Sequence, residues 1–541
     1  MSRRAAISPT HRTGARSIIR LLSLVFLLLA VVAALLSATA HAAAPGITGT
    51  SFDLRAEAAF ISQPDGQAVY SWGYGCNTAP SGGYLPSTIA SSFCNSMQVP
   101  GPTLIVTEGQ TVTVRLTNNL PAAAGNTSML FPGFNVTTTG GVAGLLTQEA
   151  PHGGSVTYTF TATSPGTRAY YSGTQGDLQV EMGLYGAIIV LPAHVPASCN
   201  TGVHAANVTA ATFWHESDFR LAHSAYDHPQ TCYDREYLFQ FSEADPRIHR
   251  QAEEQVALAN CTGGAGSPGC SLNVATEPYH PAYFMINGRS MPDDMDPNYS
   301  YQYPHQPYNG NPHMHPGELT LIRVIGQGRW QHPFHEHGNH VRILGRDGNL
   351  ILSTTNPSDP NLSGPLLFTT TTTPGQAFDG IFYWTAKGLN WDAYGHNPAS
   401  TDPSAKLPCT PDANGYNTGA PTAINYYEWC QDHNKPLQAA PFGDVAGGGP
   451  TTLPDPNIFA NGAWFGGSPY LGPNATTRAV GPTGTTPPSG TIANPPGSEA
   501  GFAFMWHSHN EREITTNNIF PGGMLMMMLV DSREFVIDES N

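Results

Sequence analysis

Charge is scarce in this chain: only 11% of its 541 residues are Asp, Glu, Lys or Arg, and the formal net charge is −16. A surface of that sign repels nucleic acid and anionic lipid, which argues against a nucleic-acid partner. Beyond the N-terminal leader, no stretch is apolar enough to span a bilayer, so no integral membrane segment is expected once the leader is gone. No CxxC spacing occurs among the eight cysteines, which leaves a thiolate zinc site without support. Turn formers are abundant instead, with 57 Gly and 47 Pro, and they point to short strands joined by many turns. The length suffices for roughly two to four domains, and an all-β protein is the leading class.

The first 43 residues carry five arginines (Arg3, Arg4, Arg12, Arg16, Arg20), no acid, the run "LLSLVFLLLAVVAALL" and the small-residue end "ATAHA". This is the layout of a secretory signal peptide, with cleavage expected near Ala42 or Ala43 and a periplasmic or extracellular destination. The length of the apolar run leaves an uncleaved anchor as the alternative; the small-residue end favours cleavage. In an exported chain the cysteines are expected to form disulfides, and they fall in neighbouring pairs: Cys76 and Cys94, Cys199 and Cys232, Cys261 and Cys270, Cys409 and Cys430. Spacing alone does not select the connectivity.

From Ala44 onward the chain alternates strand-like pieces with turn clusters. "PTLIVTEGQTVTVRLTNN", "GGSVTYTFTAT" and "GLYGAIIVLP" show the period-two alternation of sandwich strands. A second strand-rich region begins near "DREYLFQFSEADP", passes a helix-compatible stretch, and continues through "GELTLIRVIGQG", "HVRILGRDGNLIL" and "AFDGIFYWTA". The expected division is a signal peptide at 1–43, a first domain at 44–200, and a second at 201–541 carrying an insertion at 388–500. That insertion is too long for an ordinary connection. It reads either as a surface excursion pinned by Cys409 and Cys430 or as a lid over a site.

Histidine concentrates in "HPFHEHGNH" (His332, His335, His337, His340) and "HSH" (His507, His509). Residues two apart on a strand share a face, so His335 points with His337 and His507 with His509, while His332 and Ser508 point the other way. Two adjacent strands bearing these segments would present a four-imidazole patch on one face.

These segments resemble those of the multicopper oxidase family, which is built from cupredoxin domains. The resemblance is carried by "PGPTLIVTEGQTVTVRLTNNL", "GTRAYYSGTQGDLQVEMGLYGAIIV", "HPFHEHG" and "HSHNEREITTNNIFPGGM". It implies tandem cupredoxin-like Greek-key β-sandwiches or barrels, two of them with long insertions. It also implies that His332 stands at a type 1 copper position, and that His335, His337, His507 and His509 stand at positions of the trinuclear cluster.

The departures are as informative. Ser508 replaces the type 1 cysteine, and no histidine follows His509, so a blue His₂Cys centre cannot be assembled. In the first domain Leu130 and Pro132 stand where the family's TSxHWHG has histidines, and Tyr171 and Gly173 stand at those of YHSH. Half of the eight-histidine cage is gone. The remaining four imidazoles suit copper, with zinc as the alternative, in less than the full four-copper complement, completed by an oxygen from Glu336, Glu511, Glu513 or Tyr171.

Two functions follow. One is an exported copper oxidoreductase without a blue centre, acting on a small molecule or metal ion. The other is a non-catalytic copper-binding, scaffold or assembly protein on the same frame. A trimer like that of two-domain family members is a further expectation. "HMH" (313–315) is expected to be a loop pair, the methionines of "GMLMMMLV" core filling, and Arg323, Arg342, Arg346 and Asp347 partners in structural ion pairs near the site.

Overall fold

The computed structural model describes residues 44–87, 93–216, 220–353, 361–387, 410–431 and 501–538, with short strands also at 467–470, 477–478 and 492–493. The leader at 1–43, Cys409 and most of the 388–500 insertion lie outside the described residues. Among the described residues no helix is long and apolar enough to cross a membrane.

Alternation builds the first pair of sheets. Thr111–Asn118 buries Val112, Val114 and Leu116 and turns Thr111 and Arg115 outward, and Ser155–Thr161 buries Val156, Tyr158 and Phe160. These strands belong to a five-stranded sheet ordered Ala68–Cys76, Ser51–Ser62, Thr111–Asn118, Ser155–Thr161, Thr137–Gly140. A second five-stranded sheet runs Gly166–Tyr171, Tyr185–Leu191, Leu104–Thr107, Gly46–Thr48, Gly83–Leu85. Trp72, Val114 and Tyr158 from one sheet and Leu104 and Ile188 from the other share one buried core, as in a sandwich.

The second pair is built likewise. A larger sheet runs Tyr283–Ile286, Arg235–Ala244, Leu319–Gly326, Ala377–Tyr383, Val341–Arg346, Asn349–Leu350. Opposite it lies a sheet ordered His313–Met314, Leu525–Asp531, Gly501–Ser508, His332–Glu336, Thr369–Thr372. Phe239, Val324 and Phe378 meet Phe334, Trp506, Met526 and Met528 in its core, so the methionine run is core filling. The helix-compatible stretch is the helix Pro246–Leu258; Asp245 caps it by accepting from the Arg247 amide at 3.0 Å, with Pro246 leading the first turn.

Three of the neighbouring cysteine pairs are joined: Cys76–Cys94, Cys199–Cys232 and Cys261–Cys270. Cys430 is also disulfide-bonded.

Buried charge ties distant segments together. The Thr167 hydroxyl donates to Asp379 at 2.6 Å, Tyr226 donates to the same carboxylate at 2.7 Å, and Arg323 pairs with Glu236 at 2.9 Å. Arg323 is therefore an ion-pair partner as expected. Arg342 instead donates to the Gly364 carbonyl, Arg346 to the Gln376 amide oxygen, and Asp347 accepts from the Ala377 amide.

"HMH" is not a loop pair. His313 and Met314 form a short strand parallel to Leu525–Asp531, and both histidines are buried. His313 Nδ1 lies 2.6 Å from Asp531, and His315 lies 2.8 Å from Glu216. Arg235 joins Glu318 at 2.9 Å and Glu216 at 3.1 Å, and the Ile537 amide donates to Glu216, so this cluster fastens the C-terminal segment. No partner is legible in the local pattern because Glu216 and Asp531 are far away along the chain.

Burial alone would raise the Glu216 and Glu318 carboxyls, but His315 and Arg235 outweigh it and hold both below the ordinary range. A depressed carboxyl contributes stability above its unfolded pKa and loses it as pH falls through the folded one. Glu318→Gln should therefore cost about 3–5 kcal/mol near neutrality, the usual penalty for breaking a buried pair. The deficit should shrink as pH falls below about 4, read from urea melts between pH 3 and 7.

Candidate metal centre

The strand His332–Glu336 pairs antiparallel with Gly501–Ser508, placing Phe334 opposite Ser508, His335 opposite His507 and Glu336 opposite Trp506. The ladder continues past the strand ends: the His509 amide donates to the Pro333 carbonyl at 2.8 Å and the His337 amide to the Met505 carbonyl at 3.3 Å. The alternation of a strand then sorts the side chains into two sets.

Odd-numbered residues form one face. The ring of His335 lies 4.8 Å from that of His337, 5.4 Å from His507 and 4.8 Å from His509, centroid to centroid. Donor atoms of His335, His337 and His507 all fall within 4.8 Å of one another. The two Nε2 atoms of His337 and His507 are 3.4 Å apart. Two imidazoles bound at about 2.0–2.1 Å to one tetrahedral ion would have nitrogens about 3.3 Å apart, so this pair is already spaced for chelation. His507 Nδ1 lies 2.7 Å from the Ser508 carbonyl and His335 Nδ1 lies 2.6 Å from the Thr369 hydroxyl. Such outer partners fix the ring and leave Nε2 for a metal. Trp506, wholly buried, donates its indole N–H to the His337 carbonyl at 2.9 Å and anchors that end of the group to the core.

Burial, together with the charges that His337, His507 and His509 would carry, lowers the His335 pKa to about 4. Burial and His337 and His509 likewise lower His507, against the opposing effect of the Ser508 carbonyl. Both rings are therefore neutral near pH 7, the form that ligates metals. His509 is the exposed member.

Even-numbered residues face inward, and His332 is not brought to the other four. Its Nδ1 lies 2.9 Å from Glu513 and its Nε2 2.9 Å from Glu243, with no exposed surface. Ser508 donates its hydroxyl to Glu513. Glu243 is cradled by the Arg329 and Trp330 amides at 2.7 and 2.8 Å. Gly328, at φ +67°, makes room for it, since a Cβ there would sit 2.5 Å from a Glu243 oxygen. Glu513 is turned back over Ser508 by Gly523, at φ +62°, where a Cβ would lie 2.1 Å from the Glu513 carbonyl.

The acids expected to complete the patch mostly lie elsewhere. Glu513 serves His332, and Glu336 is buried on the inner face, where desolvation raises its pKa and outweighs its bond to Thr370. Glu511 is exposed and acts on His507 through its charge. Tyr171 packs against Gly375. The residues that sequence reasoning missed are Glu243 and Thr369. Two glutamates, Glu236 and Glu243, within the wholly buried strand Arg235–Ala244 were the available signal for the first, because a buried carboxylate demands a partner.

The altered first-domain positions have closed on one another. Leu130 and Tyr171 exchange backbone hydrogen bonds, and a Cβ on Gly173 would lie 2.8 Å from the Leu130 side chain. A histidine at 173 would have to displace Leu130.

Residues 87–194 and 275–381 each match a family model described as multicopper oxidase. Dihydrogeodin oxidase of Aspergillus terreus is 33% identical over 127 residues, which is 23% of this chain and 20% of that protein. Oxidoreductase ptaE of Pestalotiopsis fici is 30% identical over 129 residues, again 23% of this chain and 20% of the relative. The matched stretch thus spans about a fifth of these curated relatives. Among solved structures, the blue copper oxidase from Nitrosomonas europaea aligns at 15% identity and a TM-score of 0.42, covering 89% of this chain and 85% of that one. The two matches support a divergent member of the multicopper oxidase family, one that lacks the type 1 cysteine and the first-domain copper histidines. Its two sandwiches are the family's cupredoxin-like domains.

His332 is desolvated, which lowers its pKa, but its bonds to Glu243 and Glu513 outweigh this and raise it to about 9. A raised histidine pKa contributes stability that is complete below the unfolded value of about 6.5 and vanishes as pH rises through the folded value. About 3 kcal/mol should therefore be lost between roughly pH 6.5 and pH 10. Glu243→Gln should flatten that alkaline decline in urea melts.

Proposed function

We propose that the mature chain is an exported oxidoreductase that binds copper, or zinc in its place, through His335, His337, His507 and His509 and works without a blue centre. The reading includes a signal peptide at 1–43 and two domains divided at about residue 200. The observation that carries it is the convergence of donor atoms from His335, His337 and His507 within 4.8 Å, with outer nitrogens already hydrogen-bonded. Four imidazoles on two paired strands fit a borderline divalent ion.

Bound copper would supply one-electron redox chemistry and Lewis acidity at this face. The chain's own part is to hold the His335 and His507 rings neutral, fix ring orientation through Thr369, Ser508 and Trp506, and leave exposed His509 on the approach side. Ser508 is engaged by Glu513 on the inner face, so no thiolate relay links a second metal to the patch, and a small molecule or metal ion would have to react at the patch directly. Four-electron reduction of dioxygen is not expected. A second reading, a non-catalytic copper-binding or scaffold protein, is favoured by the packing of Leu130 against Gly173 where the family has ligands.

Elemental analysis of purified protein should find about one copper or zinc per chain, as four ligands on one face suit one ion. His335→Ala with His507→Ala should remove it, and His332→Ala should leave the stoichiometry unchanged. Full retention in the double variant would refute the site. Metal binding without dioxygen uptake or substrate oxidation would favour the second reading. Copper-loaded protein should show no intense thiolate-to-copper band, and Ser508→Cys should not create a normal one, because no histidine follows His509 to supply the second imidazole.

A further inference from the structure

The inner face carries a cluster that binding at the outer face does not use. His332 is wholly buried between two carboxylates, each 2.9 Å from one of its ring nitrogens. On one side Glu243 continues to Tyr279, whose hydroxyl lies 3.2 Å away, and Tyr279 donates to Glu181 at 2.6 Å. Arg329 lies over the Tyr279 ring at 4.2 Å. This arm leads deeper into buried structure, since Glu243 and Glu181 are themselves almost fully buried.

The other arm leads outward. Glu513 accepts from Ser508 and, at 2.9 Å, from the side chain of Asn510, which is exposed. Asn510 in turn gives its backbone amide to the Ser508 hydroxyl at 3.2 Å and directly follows His509. One exposed side chain thus separates the Glu513 carboxylate from solvent beside the histidine patch.

A buried imidazole with a carboxyl group 2.9 Å from each ring nitrogen, out of reach of water, is an arrangement that favours holding a proton. We propose that the position vacated by type 1 copper is a one-proton store, in which His332 releases its Nδ1 proton to Glu513 and Glu513 delivers it at the strand end bearing His507 and His509. The step is a proton transfer alone. The Nδ1–H bond breaks, an O–H bond forms on Glu513 and then breaks as the proton leaves past Asn510, and His332 remains neutral with its Nε2 proton still bonded to Glu243. Uptake reverses the same route, and no electron moves. The acceptor is an oxygen of a substrate held at the histidine patch; this destination rests on reading the four histidines as a metal centre, whereas the store itself does not.

The test uses the full-length, metal-free protein labelled with ¹⁵N-histidine, and follows solvent exchange of the His332 Nδ1 proton by NMR. In the native chain that proton should exchange far faster than the backbone amides of Phe334 and Trp506, which report opening of the surrounding strands. Glu513→Gln keeps a hydrogen-bond acceptor at Nδ1 but cannot take up a proton, and should slow exchange roughly a hundredfold, the low end of what a positioned proton acceptor contributes. Glu243→Gln removes the same charge from the other side of the ring and should not slow it. Exchange in the native protein as slow as the neighbouring amides, or equal slowing in both variants, would overturn the proposal. The native comparison decides even if a variant fails to fold. Because no metal is present, failure here leaves the metal reading standing, and a metal-free patch leaves this result standing.

Discussion

The pairing of His332–Glu336 with Gly501–Ser508 is the constraint on which the rest of the site depends. With His335 opposite His507, every odd residue of the two motifs faces outward and every even residue faces the core. A slip of one residue would bury the imidazoles and expose Phe334 and Trp506, so the hydrophobic core fixes the register that assembles the patch. Trp506 enforces this twice, as a fully buried ring in that core and as the donor to the His337 carbonyl.

The inner face of the same strands is occupied by hydrogen-bonded charge. The type 1 cysteine has become Ser508, and a glutamate from the following turn, Glu513, has closed over it. His332 lies between two carboxyl groups, Glu243 and Glu513, and is held protonated by them. Its neighbour three residues on, His335, is held neutral by burial and by the repulsion of the imidazoles around it. Histidines on opposite faces of one strand thus carry opposite protonation preferences, set by whether the group across from each is a carboxylate or another imidazole. The first domain closed its own half-site differently, by packing Leu130 over Gly173.

Much of this was legible in the sequence because it depends on short-range parity. Two-residue periodicity announced the strands, and the same periodicity separated His335, His337, His507 and His509 from His332 and Ser508. The lost ligands at Leu130, Pro132, Tyr171 and Gly173 could be read directly as residues without imidazoles. What could not be read depends on long-range contact. Glu243 meets His332 across 89 positions, and His315 meets Glu216 across 99, with nothing in the local pattern to mark either pair. For the same reason the acids close to the motifs in sequence were misleading, since Glu336 and Glu513 turn to the inner face. The leader and most of the long insertion lie outside the described residues, so neither reading of that insertion, excursion or lid, bears on the account of the site.

The central claim is that the outer face holds a metal although the thiolate has gone. X-ray absorption at the edge of the bound metal tests it most directly. The account predicts a first shell of imidazole nitrogens at about 2.0–2.1 Å, with oxygen completing it and no sulfur near 2.3 Å. A sulfur scatterer in that shell, or a shell of oxygen alone without imidazole, would contradict it.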